Sequence, residues 1–164
     1  KNFPLSGLLE ANVRVGLGTD AGNNSNLLET NRSMYLAAVL IKDATGDTTQ
    51  IPPEKALELA TIDGAKALGL DSEIGSLEVG KKADIVMYDT LRPEWQSLFN
   101  PVNSLVYSAD GRSVKTVIVD GNVVIEDYVP NFVDTEKLIR EVQDIGTDMM
   151  KRNGVSFPQK WPIV

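Results

Sequence analysis

The sequence of 164 residues contains no cysteine and no histidine, and only 6% of its residues are aromatic. The absence of cysteine excludes disulfide bonds and thiolate metal sites. The absence of histidine removes the side chain that most often binds metals in proteins. No apolar run approaches the ~20 residues of a membrane span, so we expect no membrane partner. Without disulfide chemistry to indicate otherwise, a cytoplasmic location is the default expectation.

Positive charge is also scarce, since 16 Lys and Arg face 23 Asp and Glu and give a net charge of −7. Binding to a nucleic-acid backbone normally requires a basic surface, so we expect no nucleic-acid partner. Hydrophobic residues make up 42% of the chain. A chain of this length can therefore build one substantial core.

The first part of the chain alternates predicted helices with one short apolar strand. The strand, Val13–Leu17, is continuously apolar apart from Arg14, as is typical of strands buried in a parallel sheet. Asn26 and Glu29 have the spacing of a capping box and predict the start of a helix at Asn26. The other predicted helices cover Pro4–Ala11, Pro53 onward, and Thr61–Leu68 with a stop at Gly69.

The second part is predicted to be a small β unit followed by a terminal helix. Asp120-Gly121 lies between two apolar runs and predicts a type I′ hairpin. Further strands are predicted at Ala83–Tyr88 and Leu105–Tyr107. A helix with an apolar stripe is predicted to begin after Asp134 and to end near Arg152. The pattern divides the chain at 1–70, 71–130 and 131–164.

The segment after the first strand is the strongest candidate for chemistry, because it presents the carboxylate of Asp20. Gly16-Leu17-Gly18-Thr19-Asp20-Ala21 also matches a variant of the dinucleotide-binding fingerprint. That interpretation requires a second strand ending in an acid about 20 residues later, whereas a helix and a polar loop follow. A simpler alternative makes Asp20 a turn former or helix cap. The neighbouring Asn23–Asn26 run is predicted to serve as turn and cap residues.

Several ordered motifs resemble the metal-dependent amidohydrolases. The branch they resemble holds triazine hydrolases and S-adenosylhomocysteine/methylthioadenosine deaminases. The motifs cover nearly the whole chain: Val15–Asp20, the helix with Leu28, Glu29 and Arg32, Pro53–Thr61, Gly64–Gly69, Ile74–Val86, Asn100–Val102 and Val117–Gly121.

The resemblance implies an α/β fold, namely the C-terminal fragment of a (β/α)₈ barrel with part of a small β-sandwich domain and a C-terminal helix. Residues 1–70 would end the barrel with its eighth strand, 71–130 would form the partial sandwich, and 131–164 the helix and tail. Asp20 would lie at the end of that strand, where barrel enzymes keep catalytic groups. It would be both a metal ligand and the acid/base that takes a proton from the metal-bound water.

The departures from the family limit what this chain is expected to do alone. The family takes its other metal ligands from histidines, and one carboxylate falls short of the roughly three protein ligands of catalytic zinc. We therefore expect a divalent metal in the complete enzyme, zinc foremost and iron or manganese as alternatives, but none on this chain, which should be inactive alone. The expected substrate is a purine-like or triazine-like aminated heterocycle.

An isolated barrel strand would have two open edges, which predicts a homo-oligomer or a complementary barrel fragment as partner. A non-catalytic binding or assembly module derived from the same fold is the alternative function. Glu29 and Arg32 are expected to be solvated or helix-pairing residues. Trp95 and Phe99 are expected to pack within an irregular loop.

Overall fold

The computed structural model describes residues 3–158 and Trp161. These residues form two compact units, one that ends at Tyr128 and one that begins at Val129. The first unit contains six α-helices and two short 3-10 helices, Pro93–Trp95 and Gly111–Ser113, among its described residues, and most of the β structure. The α-helices are α1 (Leu5–Glu10), α2 (Gly22–Ser25), α3 (Thr30–Thr45), α4 (Pro53–Ala60), α5 (Ile62–Leu68) and α6 (Pro101–Tyr107).

The core of the first unit lies where α3, α4 and α6 pack together. Met34, Ala38 and Ile41 of α3 are buried, at the i, i+4, i+7 spacing that puts side chains on one face of a helix. They meet Leu59 of α4 and Val106 of α6, both fully buried. Helix formation and burial are therefore encoded by the same residues.

The helix predicted to start at Asn26 begins instead at Thr30. Asn26 has a φ of 61°, in the left-handed region, and ends the single turn of α2. Glu29 is extended at the N-cap of α3, and its carboxylate accepts a hydrogen bond from the distant N–H of Gly111. The predicted capping box fails because Glu29 has this long-range partner.

The helices α4 and α5 occur as predicted. Pro53 occupies the first turn of α4, where its fixed φ suits a helix start. Gly69 has a φ of 73° and ends α5, since glycine adopts the left-handed region without strain. Thr61 precedes α5, but its hydroxyl donates back to the carbonyl of Leu57 instead of capping the new helix.

An antiparallel sheet packs beside these helices and contains β1 (Ile85–Tyr88), β2 (Val114–Val119) and β3 (Asn122–Glu126). Ile85 pairs with Ile118, and Val119 pairs with Asn122 across the hairpin. Asp120 and Gly121 have φ values of 49° and 77°, as a type I′ turn requires. The predicted hairpin is confirmed.

The strand predicted at Leu105–Tyr107 is wrong, since these residues form the end of α6. Asn100 caps this helix by accepting hydrogen bonds from the N–H groups of Val102 and Asn103. Pro101 then occupies the first helical position. The short apolar run fits a buried helix as well as a strand, and the cap decides between them.

The segment Val13–Leu17 is not a strand in the structure either. The N–H groups at its two ends, those of Val13 and Leu17, donate to carbonyls of helices, Leu8 in α1 and Leu59 in α4 respectively. A strand requires a ladder of hydrogen bonds with a neighbour, and no described residue forms one here. Val15 and Leu17 still pack against the core, as the apolar pattern predicts.

The second unit contains a short strand, β4 (Val129–Pro130), and the helix α7 (Thr135–Arg152). Asp134 caps α7 as predicted, because its carboxylate accepts a hydrogen bond from the N–H of Lys137. The apolar stripe of α7 is exposed: Leu138, Val142, Ile145 and Met149. Among the described residues, no helix is long and apolar enough to cross a membrane.

Candidate active site

Asp20 lies just beyond the extended segment that carries Val15 and Leu17 against the core. Its φ is 60°, a left-handed conformation that few residues other than glycine adopt and that aspartate tolerates better than most. The side chain is exposed. The sharp change of backbone direction brings the chain from the core into the single turn of α2.

Two hydrogen bonds hold the Asp20 carboxylate. The N–H of Ala21 donates to Oδ1 over 2.7 Å, and the side-chain amide of Asn24 donates to Oδ2 over 2.6 Å. The bond from Ala21, and then that from Asn24, lowers the pKa of Asp20 below the usual aspartate value, because both stabilise the charged form. Both hydrogen bonds therefore favour the ionised form of the Asp20 carboxylate.

The segment that carries Asp20 is anchored to two helices of the core. The N–H of Leu17 donates to the carbonyl of Leu59 in α4, and the hydroxyl of Ser33 in α3 donates to the carbonyl of Gly18. Gly16 lies so close to Gly64 that a Cβ atom on Gly16 would be 2.7 Å from the Gly64 Cα. These contacts hold the backbone of this segment in place, although the side chain of Asp20 is exposed.

The residues that the structure describes do not by themselves form a site for a catalytic divalent metal. Each oxygen of Asp20 accepts one hydrogen bond and retains a lone pair, so the carboxylate has room for one further partner on each oxygen. The described residues contain no group of three or more His, Cys, Asp or Glu side chains placed to hold a metal ion. A catalytic zinc site uses about three protein ligands. Asp20 suits one such position and cannot supply the others.

Glu29 and Arg32, which belong to the same family motif as Asp20, line a polar cavity of about 470 Å³ between α3 and the end of α6. Glu29 lines it and joins α3 to the Gly111 turn, so it is not simply solvated. Arg32 lines it too, with its guanidinium 5.1 Å from the centre of the Tyr35 ring. Asp20 is not among the residues that line this cavity.

Two polar contacts next to this cavity were not evident from the sequence. Asn31 is buried, and its side chain accepts a hydrogen bond from the hydroxyl of Tyr88 over 2.8 Å. Its amide donates to the carbonyl of Leu105. Burial raises the pKa of Tyr88 above its usual value. A lone polar residue on the apolar face of α3 is the only sequence signal for this arrangement.

The aromatic residues of the loop before α6 behave differently from each other. Trp95 is buried and its ring lies 5.5 Å from that of Tyr88, so the packing prediction is confirmed for it. Phe99 is 93% exposed, so the packing prediction is wrong for this residue. Phe99 directly precedes Asn100, the N-cap of α6, and the ring of Phe99 does not reach the core.

Comparison with known proteins gives the family. The model of the amidohydrolase family matches residues 2–124, three quarters of the chain. A 5'-deoxyadenosine deaminase from Methanosarcina acetivorans is 41% identical over 91% of this chain and 34% of its own length. A 5-methylthioadenosine/S-adenosylhomocysteine deaminase from Thermoanaerobacter pseudethanolicus is 38% identical over 91% of this chain and 35% of its own length.

Solved structures agree with this assignment. A zinc-bound adenosine deaminase from Xanthomonas campestris matches with a TM-score of 0.86 and 31% identity, over 90% of this chain and 34% of that one. A zinc-bound atrazine chlorohydrolase from Arthrobacter aurescens shares the fold, with a TM-score of 0.78 and 24% identity over 87% of this chain and 32% of its own. The chain thus spans about a third of the length of the relatives it matches. The predicted resemblance is confirmed, and the chain belongs to the amidohydrolase family.

Proposed function

We propose that this chain forms the C-terminal part of a metal-dependent aminohydrolase that removes the amino group of an adenosine-like heterocycle. The observation that carries the proposal is the Asp20 carboxylate, ionised, held by two donors and carried on a segment anchored to the core. The names of the relatives indicate the substrate class, since they are deaminases of 5'-deoxyadenosine, methylthioadenosine and S-adenosylhomocysteine. In this proposal residues 1–70 belong to the barrel, 71–130 to the β-sandwich, and 131–164 to the terminal helix and tail.

The proposed role of Asp20 is proton transfer. Water attacks the ring carbon that bears the amino group, and Asp20 accepts the proton that the water loses. As the C–O bond forms, the ring C=N π bond breaks and its electron pair moves to the ring nitrogen, which gives a tetrahedral intermediate. Asp20 then returns the proton to the departing nitrogen, the ring C=N bond forms again as the exocyclic C–N bond breaks, and ammonia leaves. Transfer of this kind typically contributes 10²–10⁴-fold to the rate.

A divalent metal, zinc foremost, belongs to this proposal as the cofactor of the complete enzyme. The zinc-bound state of two structural neighbours supports it. Asp20 is the residue of this chain that we propose lies next to the metal. The other ligands would come from polypeptide outside residues 1–164, because the described residues supply no set of them.

The proposal is tested with the enzyme that contains this chain, by following ammonia release from 5'-deoxyadenosine. Asp20→Asn keeps the shape of the side chain and removes the proton acceptor, so kcat should fall by at least about 10²-fold. Asp43→Asn, which changes an exposed carboxylate on α3, is the matched control and should leave kcat unchanged. Full activity of Asp20→Asn would refute the role of Asp20. A complete enzyme with no deaminase activity would instead favour the non-catalytic module.

A further inference from the structure

The side chain of Asn24 holds the Asp20 carboxylate from the far end of α2. Asp20 lies directly before Ala21, the N-cap of α2, and the single turn that follows brings the side chain of Asn24 back to it. The amide of Asn24 donates to Oδ2 over 2.6 Å while the backbone N–H of Ala21 holds Oδ1. Two donors, one on each oxygen, fix both the position and the rotation of the carboxylate.

The chemistry of an amide suits this contact better than that of a charged donor. Lys or Arg at position 24 would form an ion pair with Asp20 and compete with any cation or reacting proton. The amide of Asn24 is uncharged and donates one hydrogen bond to Oδ2, so the carboxylate keeps its negative charge. With one donor on each oxygen, from Ala21 and from Asn24, each carboxylate oxygen keeps a lone pair for a further partner.

Fixing the carboxylate matters because Asp20 is exposed and packing does not restrain its side chain. An exposed aspartate normally samples several rotamers, and a proton acceptor that is misplaced by about 1 Å loses much of its rate advantage. The backbone is already held by its left-handed conformation and by the anchors from Leu59 and Ser33. The carboxylate itself is held by the N–H of Ala21 at Oδ1 and by the side chain of Asn24 at Oδ2, and Asn24 is the side-chain donor of the two.

We infer that Asn24 is a positioning residue, which orients the Asp20 carboxylate for proton transfer in the deaminase reaction. The inference rests on the proposed function, since positioning has a catalytic effect only if Asp20 transfers the proton. A purely structural role, in which the Asp20–Asn24 bond merely stabilises α2, is the competing explanation. The two differ in what the loss of the bond changes.

The first experiment measures the Asp20 side chain directly in the 164-residue chain. Three-bond NMR couplings to the Asp20 carboxyl carbon report its χ1 rotamer populations. Asn24→Ala should change one dominant rotamer into a mixture, and Asn24→Asp should do the same, since it replaces the donor by a repelling carboxylate. Asn23→Ala is the matched control, since Asn23 lies on the same turn and Asn24 is the one described side chain that donates to the Asp20 carboxylate. A single unchanged rotamer in Asn24→Ala would overturn the inference.

The second experiment measures deamination of 5'-deoxyadenosine by the enzyme that contains this chain. Asn24→Ala should lower kcat by about 10–100-fold, the usual effect of removing a partner that orients a functional side chain. KM and the melting temperature should stay close to those of Asn23→Ala. An equal kcat in Asn24→Ala and Asn23→Ala, with Asp20→Asn inactive, would overturn the positioning role and leave the proposed function standing. Activity in Asp20→Asn would overturn the proposed function itself.

Discussion

Gly16 lies at the closest approach between the segment that carries Asp20 and the α5 region. A Cβ atom at position 16 would be 2.7 Å from the Cα of Gly64, a backbone atom that cannot move without shifting α5. Gly16→Ala should therefore destabilise the protein by about 1–3 kcal/mol, as overpacking does. Gly18→Ala is the matched control, because a Cβ there meets nothing within 4 Å and its φ is not positive. Urea unfolding measures both.

We expect Gly18→Ala to unfold at the same urea concentration as the wild type, and Gly16→Ala to unfold at a lower one. Equal midpoints for the two variants would show that the segment separates from Gly64 in solution. In that case the anchoring of Asp20 described above would also need revision.

The hydrogen bond between Tyr88 and Asn31 should make a measurable contribution to stability. The Tyr88 hydroxyl donates to the buried Oδ1 of Asn31. Tyr88→Phe removes the donor and leaves that oxygen unpaired, which should cost about 1–3 kcal/mol. Tyr35→Phe is the control, since Tyr35 interacts with Arg32 through its ring and the substitution keeps the ring. Denaturant midpoints for the two variants that coincide would contradict the assigned hydrogen bond.

At the scale of elements, an ion-pair network joins α4 to α5. The Lys55 ammonium lies 2.6 Å from one oxygen of Asp63, and the Lys66 ammonium lies 3.1 Å from the other. The hydrogen bond from Lys55 is the main cause of the lowered pKa of Asp63. A carboxylate whose folded pKa is depressed contributes stability above its unfolded pKa of about 3.9 and loses it as the pH falls through the folded value.

Asp63→Asn should therefore lower stability at pH 7 by about 1 kcal/mol or less, the usual range for partly exposed pairs. Between about pH 5 and the acid limit of folding, the variant should lose less stability with falling pH than the wild type. Asp71→Asn, at an exposed aspartate just after α5, is the control. Thermal melts at pH 7, 5 and 3.5 measure the effect. If the melting temperatures of wild type and Asp63→Asn fell in parallel with pH, the result would contradict the ion-pair network.

The elements that could be predicted from the sequence are those whose signals are local. The hairpin at Asp120-Gly121, the stop at Gly69 and the cap at Asp134 depend on the conformational preferences of the residues themselves. The start of α3 and the identity of α6 could not be predicted in the same way. Glu29 is held by Gly111, 82 residues later in the chain, and a pattern within α3 carries no information about that partner.

The sequence makes Asp20 a candidate by its place after an apolar segment, but it gives no signal for the hydrogen bonds of the carboxylate. Asn24 was predicted to be a turn residue, and its contact with Asp20 depends on the one-turn helix α2. Four residues are too few to give a periodic signal. The left-handed conformation at Asn26, which ends that turn, is equally invisible in a run of four polar residues.

At the scale of the whole molecule, each unit exposes large apolar side chains. In the unit that ends at Tyr128, Leu77 is 75% exposed and Leu91 is 91% exposed, and an apolar cavity of about 640 Å³ lies between α3, α4 and β1. In the other unit, the stripe of α7 is exposed. The stripe of α7 lies on one face of its helix, and contiguous exposed apolar surface normally marks an interaction surface. The chain also spans only a third of the length of its relatives.

We therefore expect the 164-residue chain to associate, with itself or with a complementary part of the amidohydrolase fold. Light scattering after size-exclusion chromatography should give a mass that rises with protein concentration. Phe99→Ser removes one strongly exposed apolar side chain and should shift this rise to higher concentration, whereas Asn103→Ser, at an exposed polar position on α6, should not. Association through apolar surface weakens when exposed apolar area is lost. The rise in mass should therefore move to still higher concentration when Leu91→Ser is added to Phe99→Ser. A monomeric mass at every concentration would show that these side chains are tolerated in water, and the expectation of a partner would fail.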